Sequence, residues 1–168
     1  YKQIRIKFLK TSLMQYTQDE LKEFIKPAFR VKQIWGWIYH HYVDNFEEMK
    51  NIPKSLKEEL DGKYSINPLK IINKEISQDG TIKYLLELYD KKTVEAVWIK
   101  MKDEQRDDDG SIIQEAKYSI CVSTQVGCKV GCTFCLTAKG GFSRDLDASE
   151  IVAQVVILKK DNEHSHTR

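Results

Sequence analysis

Residues 121–155, CVSTQVGCKVGCTFCLTAKGGFSRDLDASEIVAQV, decide how this chain is read. Ahead of the glycines, Tyr118 to Ser123 alternates in the manner of a strand. A loop holding Gly127, Gly131, Gly140 and Gly141 follows. Ser149 to Lys160 then reads as a helix, with Ile151, Val152, Val155, Val156 and Leu158 apolar. Strand, glycine-rich loop and helix in that order form the opening unit of an α/β barrel or a doubly wound sheet.

The loop carries the chemistry. Cys128, Cys132 and Cys135 follow a C-x3-C-x2-C spacing, with Phe134 just before the last cysteine. Three thiolates suit an iron–sulfur cubane that keeps one iron free of protein ligands. The amino and carboxylate groups of S-adenosylmethionine can chelate that open iron, where an electron can cleave the sulfonium. Gly127 and Gly131 let the backbone wrap closely around such a cluster. Two rivals use the same residues. A structural zinc site would draw on Cys121, but zinc ribbons pair two C-x2-C knuckles and only one is present. An electron-transfer ferredoxin needs a fourth ligand at a standard spacing, and Cys121 lies seven residues upstream of Cys128.

Working outward, Leu69 to Met101 has the period of strands. Ile71–Ile76, Ile82–Leu88 and Val94–Met101 read as an antiparallel meander, with turns at Gln78-Asp-Gly80 and Asp90-Lys-Lys92. Asp103 to Gly110 reads as a solvated, charged loop. Further upstream, Thr11 to Gly62 looks helical. Thr17 and Glu20 fit a capping box opening a short helix to about Ile25. Arg30 to Tyr42 places Val31, Ile34, Trp35, Ile38, Tyr39 and Tyr42 at helical spacing. That aromatic stripe reads first as core, and second as a surface on which bases could stack. Lys54 to Leu60 is a third helix after Pro53.

The chain has 168 residues, a net charge of +2 and no apolar run of eighteen residues. A membrane span is therefore not expected. No secretory leader is visible either, and the cytoplasm is the expected compartment. The chain begins at Tyr1 and closes on a polar stretch from Asp161, and both ends read as those of a piece of a longer protein. Residues 1–68 carry 12 Lys and Arg against 9 Asp and Glu, whereas residues 69–168 carry 15 against 16. The basic excess, concentrated at Lys2, Arg5, Lys7 and Lys10, reads first as a solvated face and second as a pointer to a polyanionic partner. All four cysteines lie between 121 and 135, which suits a metal centre in a reducing compartment rather than a disulfide framework.

Residues 121–155 resemble the radical S-adenosylmethionine RNA adenosine methyltransferases of the RlmN type. FRVKQIWGWIYHHYVDNFEEMKNIPKSL is similar to their helical N-terminal domain, and SQDGTIKYLLEL and TVEAVWIKM to the strands before their barrel. The resemblance covers nearly the whole chain and corresponds to the N-terminal part of a family member. It implies three divisions: a helical accessory RNA-binding domain at 11–62, a β-meander at 69–101 and the start of a radical SAM partial (β/α) barrel at 116–168. It implies methylation of adenosine C2 in 23S rRNA and in tRNA through a methyl-cysteine intermediate, with a 4Fe-4S cluster and S-adenosyl-L-methionine as cofactors. Cys128, Cys132 and Cys135 would be the metal ligands and Phe134 a cofactor contact. Glu95 would take the C2 proton, and Cys121 would release the product through a disulfide. An electron donor such as flavodoxin and a monomeric state belong to the same expectation.

Taken without the family, Glu95 is a solvent-facing strand glutamate and Cys121 a buried core thiol. No cysteine follows Cys135 and the family's Gly-Glu-Pro segment is missing, so this chain by itself would not complete the reaction. The stretch between Glu95 and Cys121 is long for the family. Two alternatives stand beside the C2 enzyme. One is the antibiotic-resistance relative that methylates C8 of the same ribosomal adenosine, against which GGFSRDL argues. The other is a noncatalytic iron–sulfur RNA-binding module.

Overall fold

The Thr17 hydroxyl accepts from the Glu20 backbone N–H at 3.3 Å, and the Glu20 carboxylate accepts from the Thr17 N–H at 2.7 Å. This reciprocal cap starts the helix α1 (Gln18–Phe24), as the sequence leads one to expect. The computed structural model that shows it describes residues 10–163. Its contacts divide into two units, one of residues 10–68 with 159–163 and the other of residues 69–158.

The first unit is mainly helical. A two-residue strand β1 (Thr11–Ser12) pairs in parallel with β2 (Tyr64–Ser65), closing the unit's ends on each other. Between them lie a 3-10 turn (Leu13–Gln15), α1, α2 (Phe29–Tyr39) and α3 (Lys54–Lys63). The core is Leu21, Ile25, Val31, Ile34, Ile38, Met49 and their neighbours, all nearly inaccessible. The aromatic stripe of α2 divides: Val31, Ile34 and Ile38 are buried, whereas Trp35 and Tyr39 are half-buried and meet at a tilt of 48°, ring centroids 4.3 Å apart. The helix also ends three residues before Tyr42. The Gly36 carbonyl accepts from both His40 and His41, and Tyr42 turns the chain in the left-handed region at φ 50°. Tyr42 is buried all the same, reached from the loop and not from the helix face. Of the basic residues near the start, Lys10 pairs with Asp61 at 3.3 Å, and Lys2, Arg5 and Lys7 lie outside the described residues.

The second unit is built on a four-stranded antiparallel sheet in the order β3 (Lys70–Ile76), β4 (Ile82–Glu87), β5 (Thr93–Lys102), β8 (Lys117–Cys121). The β3–β4 turn is fixed by Asp79, which accepts from the Thr81 N–H at 2.9 Å, and by Gly80 at φ 83°. One sheet face buries Tyr84, Leu86, Val94, Ala96 and Trp98; the other leaves Lys83, Glu95 and Cys121 accessible.

One sequence expectation changes here, and another gains a strand partner. Asp103–Gly110 is not a plain loop: β6 (Gln105–Arg106) and β7 (Ile112–Gln114) form an exposed hairpin whose tip holds Asp107 to Gly110. The strand expected to open a barrel, β8, lies antiparallel on β5 as the meander's edge, with Val97 opposite Cys121. The β6–β7 hairpin brings the chain back to the end of β5 that it left, and β8 therefore runs in the opposite direction beside β5.

After β8 come β9 (Gln125–Gly127), the short helix α4 (Leu136–Lys139), β10 (Phe142–Asp145) and α5 (Ala148–Glu163). The fold is thus a mixed α/β arrangement. α5 continues past Lys160, where the sequence reads as tail; its Asn162 is buried, and Lys160 pairs with Asp44 at 2.8 Å within the first unit. Among the described residues no helix is long and apolar enough to cross a membrane.

Candidate iron–sulfur loop and its surroundings

β9 and β10 pair antiparallel and form the neck of the cysteine loop. The closeness of the two strands dictates glycine at 127. Its φ is +77°, and a Cβ there would stand 1.8 Å from the Gly141 carbonyl oxygen. The next residue, Cys128, donates its N–H to that same oxygen at 3.1 Å. The neck is tied down from outside. The Arg144 guanidinium grips both oxygens of buried Glu150 at 2.7 and 2.8 Å and reaches Asp90 at 3.0 Å. Hydrogen bonds and charge from these carboxylates raise the Arg144 pKa, and Arg144 in turn holds Asp90 below the usual carboxylate range. Gln154 of α5, fully buried, accepts from the Ser123 N–H and donates to the Ser123 carbonyl, both at 2.9 Å. Lys129 of the loop reaches back to Asp145 of β10 at 3.0 Å.

Within the neck, Cys128, Cys132 and Cys135 are half-accessible free thiols. Cys135 stands at the start of α4, where the Ala138 and Thr137 N–H groups lower its pKa towards the thiolate that metal binding needs. Val130, Phe134 and Leu136 are 78%, 87% and 81% exposed, so the loop offers apolar side chains to solvent. Among the described residues no three His, Cys, Asp or Glu side chains converge on a point that would hold one metal ion. A cubane is bound differently, each thiolate on its own iron, and three free cysteines on one glycine-hinged loop fit that donor set.

Glu95 and Cys121 lie on the accessible face of the sheet. Cys121 is opposite Val97, and Val97 shares a face with Glu95 two residues before it, so the two candidates are diagonal neighbours. Cys121 is exposed, which removes its reading as a core thiol. Ser123 ties the end of this strand to β5 by donating its hydroxyl to the Glu95 carbonyl at 2.7 Å. A cavity of about 330 Å3 is lined by Glu95, Leu85, Ser123, Gln125, Gly127 and the Leu136–Thr137 pair that follows Cys135. Glu95 and the cysteine loop therefore border one space. Phe134 and Cys121 are not in its lining. Sequence reasoning missed Arg144, Asp90 and Glu150; the signal available was the Asp147-Ala-Ser-Glu150 cap, where Glu150 accepts from the Asp147 N–H at 2.9 Å.

The fold is that of the radical SAM methyltransferases: a crystal structure of such an enzyme from Sphaerobacter thermophilus superposes with a TM-score of 0.80 at 32% identity, over 92% of this chain and 43% of that one. The family model of the ribosomal RNA large subunit methyltransferase N-terminal domain matches residues 11–66. Among curated relatives, the dual-specificity RNA methyltransferase RlmN of Sulfurimonas denitrificans is 66% identical over 160 residues, which is 95% of this chain and 45% of the relative. The RlmN of Nautilia profundicola is 60% identical over 152 residues, 90% of this chain and 42% of the relative. The chain is thus similar over nearly all of its length to RlmN relatives, and it spans less than half the length of the relatives it matches.

Proposed function

We propose that this chain is the N-terminal part of a radical SAM enzyme that methylates C2 of adenosine in 23S rRNA and in tRNA. The observation that carries the reading is the cavity shared by Glu95 and the residues beside Cys135. Cys128, Cys132 and Cys135 would hold a 4Fe-4S cluster, and Phe134, exposed at the loop tip, would contact S-adenosyl-L-methionine. When bound, these groups supply a methyl group and a carbon-centred radical that removes hydrogen. The chain's own residues do the rest. The loop, clamped at its neck, fixes where the radical is made relative to the sheet. Glu95 takes the C2 proton as general base. The Cys121 thiolate attacks the sulfur of a methylene-bearing cysteine that this chain does not contain; as the disulfide forms, the sulfur–methylene bond breaks, its electron pair stays with the carbon, and that carbon takes up a proton to leave as the methyl group of the base.

Residues 11–62 are assigned to RNA binding, 69–101 to the meander that carries Glu95, and 116–168 to the beginning of the radical SAM core. Accessible rings support the first assignment: Phe29 is 54% exposed with Arg30 over its face at 4.7 Å. An electron donor such as flavodoxin, a monomeric state and a cytoplasmic location complete the reading.

Two assays on the complete enzyme test it. Nucleoside mass analysis of modified RNA should give 2-methyladenosine; 8-methyladenosine would transfer the protein to the C8 reading, and no methylated adenosine would leave a binding module. Cys121→Ala should trap a protein–RNA adduct, visible on a denaturing gel as a slow, RNase-sensitive band. Normal release of methylated RNA by that variant would refute the role of Cys121.

A further inference from the structure

The accessible face of the meander carries one cation between two carboxylates. Lys83 of β4 is directly opposite Glu75 of β3 and Val97 of β5, and Glu95 is opposite Leu85, so Glu95 is the diagonal neighbour of Lys83. The Lys83 Nζ lies 3.1 Å from Glu75 Oε2 and 3.5 Å from Glu95 Oε1. The Glu75 hydrogen bond and charge, followed by the charge of Glu95, raise the Lys83 pKa, so the ammonium stays charged throughout the neutral range.

We propose that Lys83 is a positioning residue for Glu95, holding its carboxylate at the cavity wall through a shared, three-strand ion pair. The inference rests on the reading of Glu95 as the group that takes the C2 proton. An accessible glutamate on a strand samples several rotamers, and fixing it in one reacting geometry removes an entropic part of the barrier. The second carboxylate keeps Lys83 paired once the base has been protonated. When Glu95 takes the proton from C2, the electrons of that bond remain with the adduct and Glu95 becomes neutral. Lys83 keeps its own proton and its 3.1 Å partner Glu75, so no charge is left unpaired. A Lys83 bound to Glu95 alone would oppose the proton transfer by the full loss of its partner.

The experiment uses the complete enzyme and substrate RNA with deuterium at C2 of the target adenosine. Lys83→Gln should lower kcat by about tenfold with KM for RNA unchanged. The deuterium isotope effect should grow, since proton removal becomes the slow step, and formation of 5′-deoxyadenosine should persist. Lys83→Arg should restore most of the rate. A raised KM for RNA with unchanged kcat would make Lys83 a phosphate contact and overturn the proposal, as would a rate and isotope effect equal to the wild type. Glu95→Gln, measured alongside, separates the two levels. If it turns over normally, the reading of Glu95 fails; if it is slow while Lys83→Gln is normal, only the role of Lys83 fails.

Discussion

The neck of the cysteine loop and its tip are adjacent in sequence and opposite in construction. At the neck, Gly127 touches Gly141, Arg144 is clasped by a 2%-exposed Glu150, and buried Gln154 holds both backbone polar groups of Ser123. At the tip, Val130, Phe134 and Leu136 stand almost free in solvent. Apolar side chains so exposed contribute little to folding here, because they stay in water. The side-chain packing around this loop is concentrated in the neck. That division suits a site whose donor atoms must adapt to a cluster while the direction of the loop stays fixed.

Substitutions at the two places should differ in kind. The largest effect is expected for Gly127→Ala. A methyl group 1.8 Å from a backbone oxygen, on a residue with φ +77°, cannot be accommodated without opening the neck. Iron and sulfide after anaerobic reconstitution should fall to background. Next comes Arg144→Ala, which strands the buried Glu150 carboxylate and should cost about 3–5 kcal/mol in denaturant unfolding. Phe134→Ala at the tip should change the same measurement by less than about 0.5 kcal/mol. Equal losses for Arg144→Ala and Phe134→Ala would erase the distinction.

The smallest effect is a pH dependence of the neck. Arg144 depresses the Asp90 pKa, so the pair's contribution is complete above the ordinary carboxylate value of about 4. It should fade as pH falls through the lower folded value. The melting temperature of the wild type should exceed that of Asp90→Asn at neutral pH, and the two should converge on acidification. A gap that widens in acid would contradict the ion pair.

How far the sequence discloses this molecule depends on how local the determinant is. The helix of Gln18–Phe24 is legible because Thr17 and Glu20 satisfy each other within one turn. The β3–β4 hairpin is legible because Asp79 and Gly80 fix the turn by themselves. The end of α2 is not, since Tyr42 fits the helical period and leaves the helix only through a left-handed turn. Nor is the partner of β8: alternation marks a strand without naming its neighbour, and the neighbour is β5, beyond an inserted hairpin. In the candidate site, the cysteine spacing states the donor set outright. Glu95 and Cys121 are callable only through the family resemblance, and their shared face becomes visible only once the β5–β8 register is known. The clamp joins Arg144 to Asp90, 54 positions away, and the local cap at 147–150 announces Glu150 but neither of the other two.

The central claim is that three cysteines on the clamped loop hold the cluster and the fourth, on the sheet, does not. Iron and sulfide content after anaerobic reconstitution of the four single Cys→Ala variants tests it. Cys128→Ala, Cys132→Ala and Cys135→Ala should each lose the cluster, and Cys121→Ala should retain the wild-type content. Loss of iron in Cys121→Ala, or its retention in any of the other three, would contradict the account.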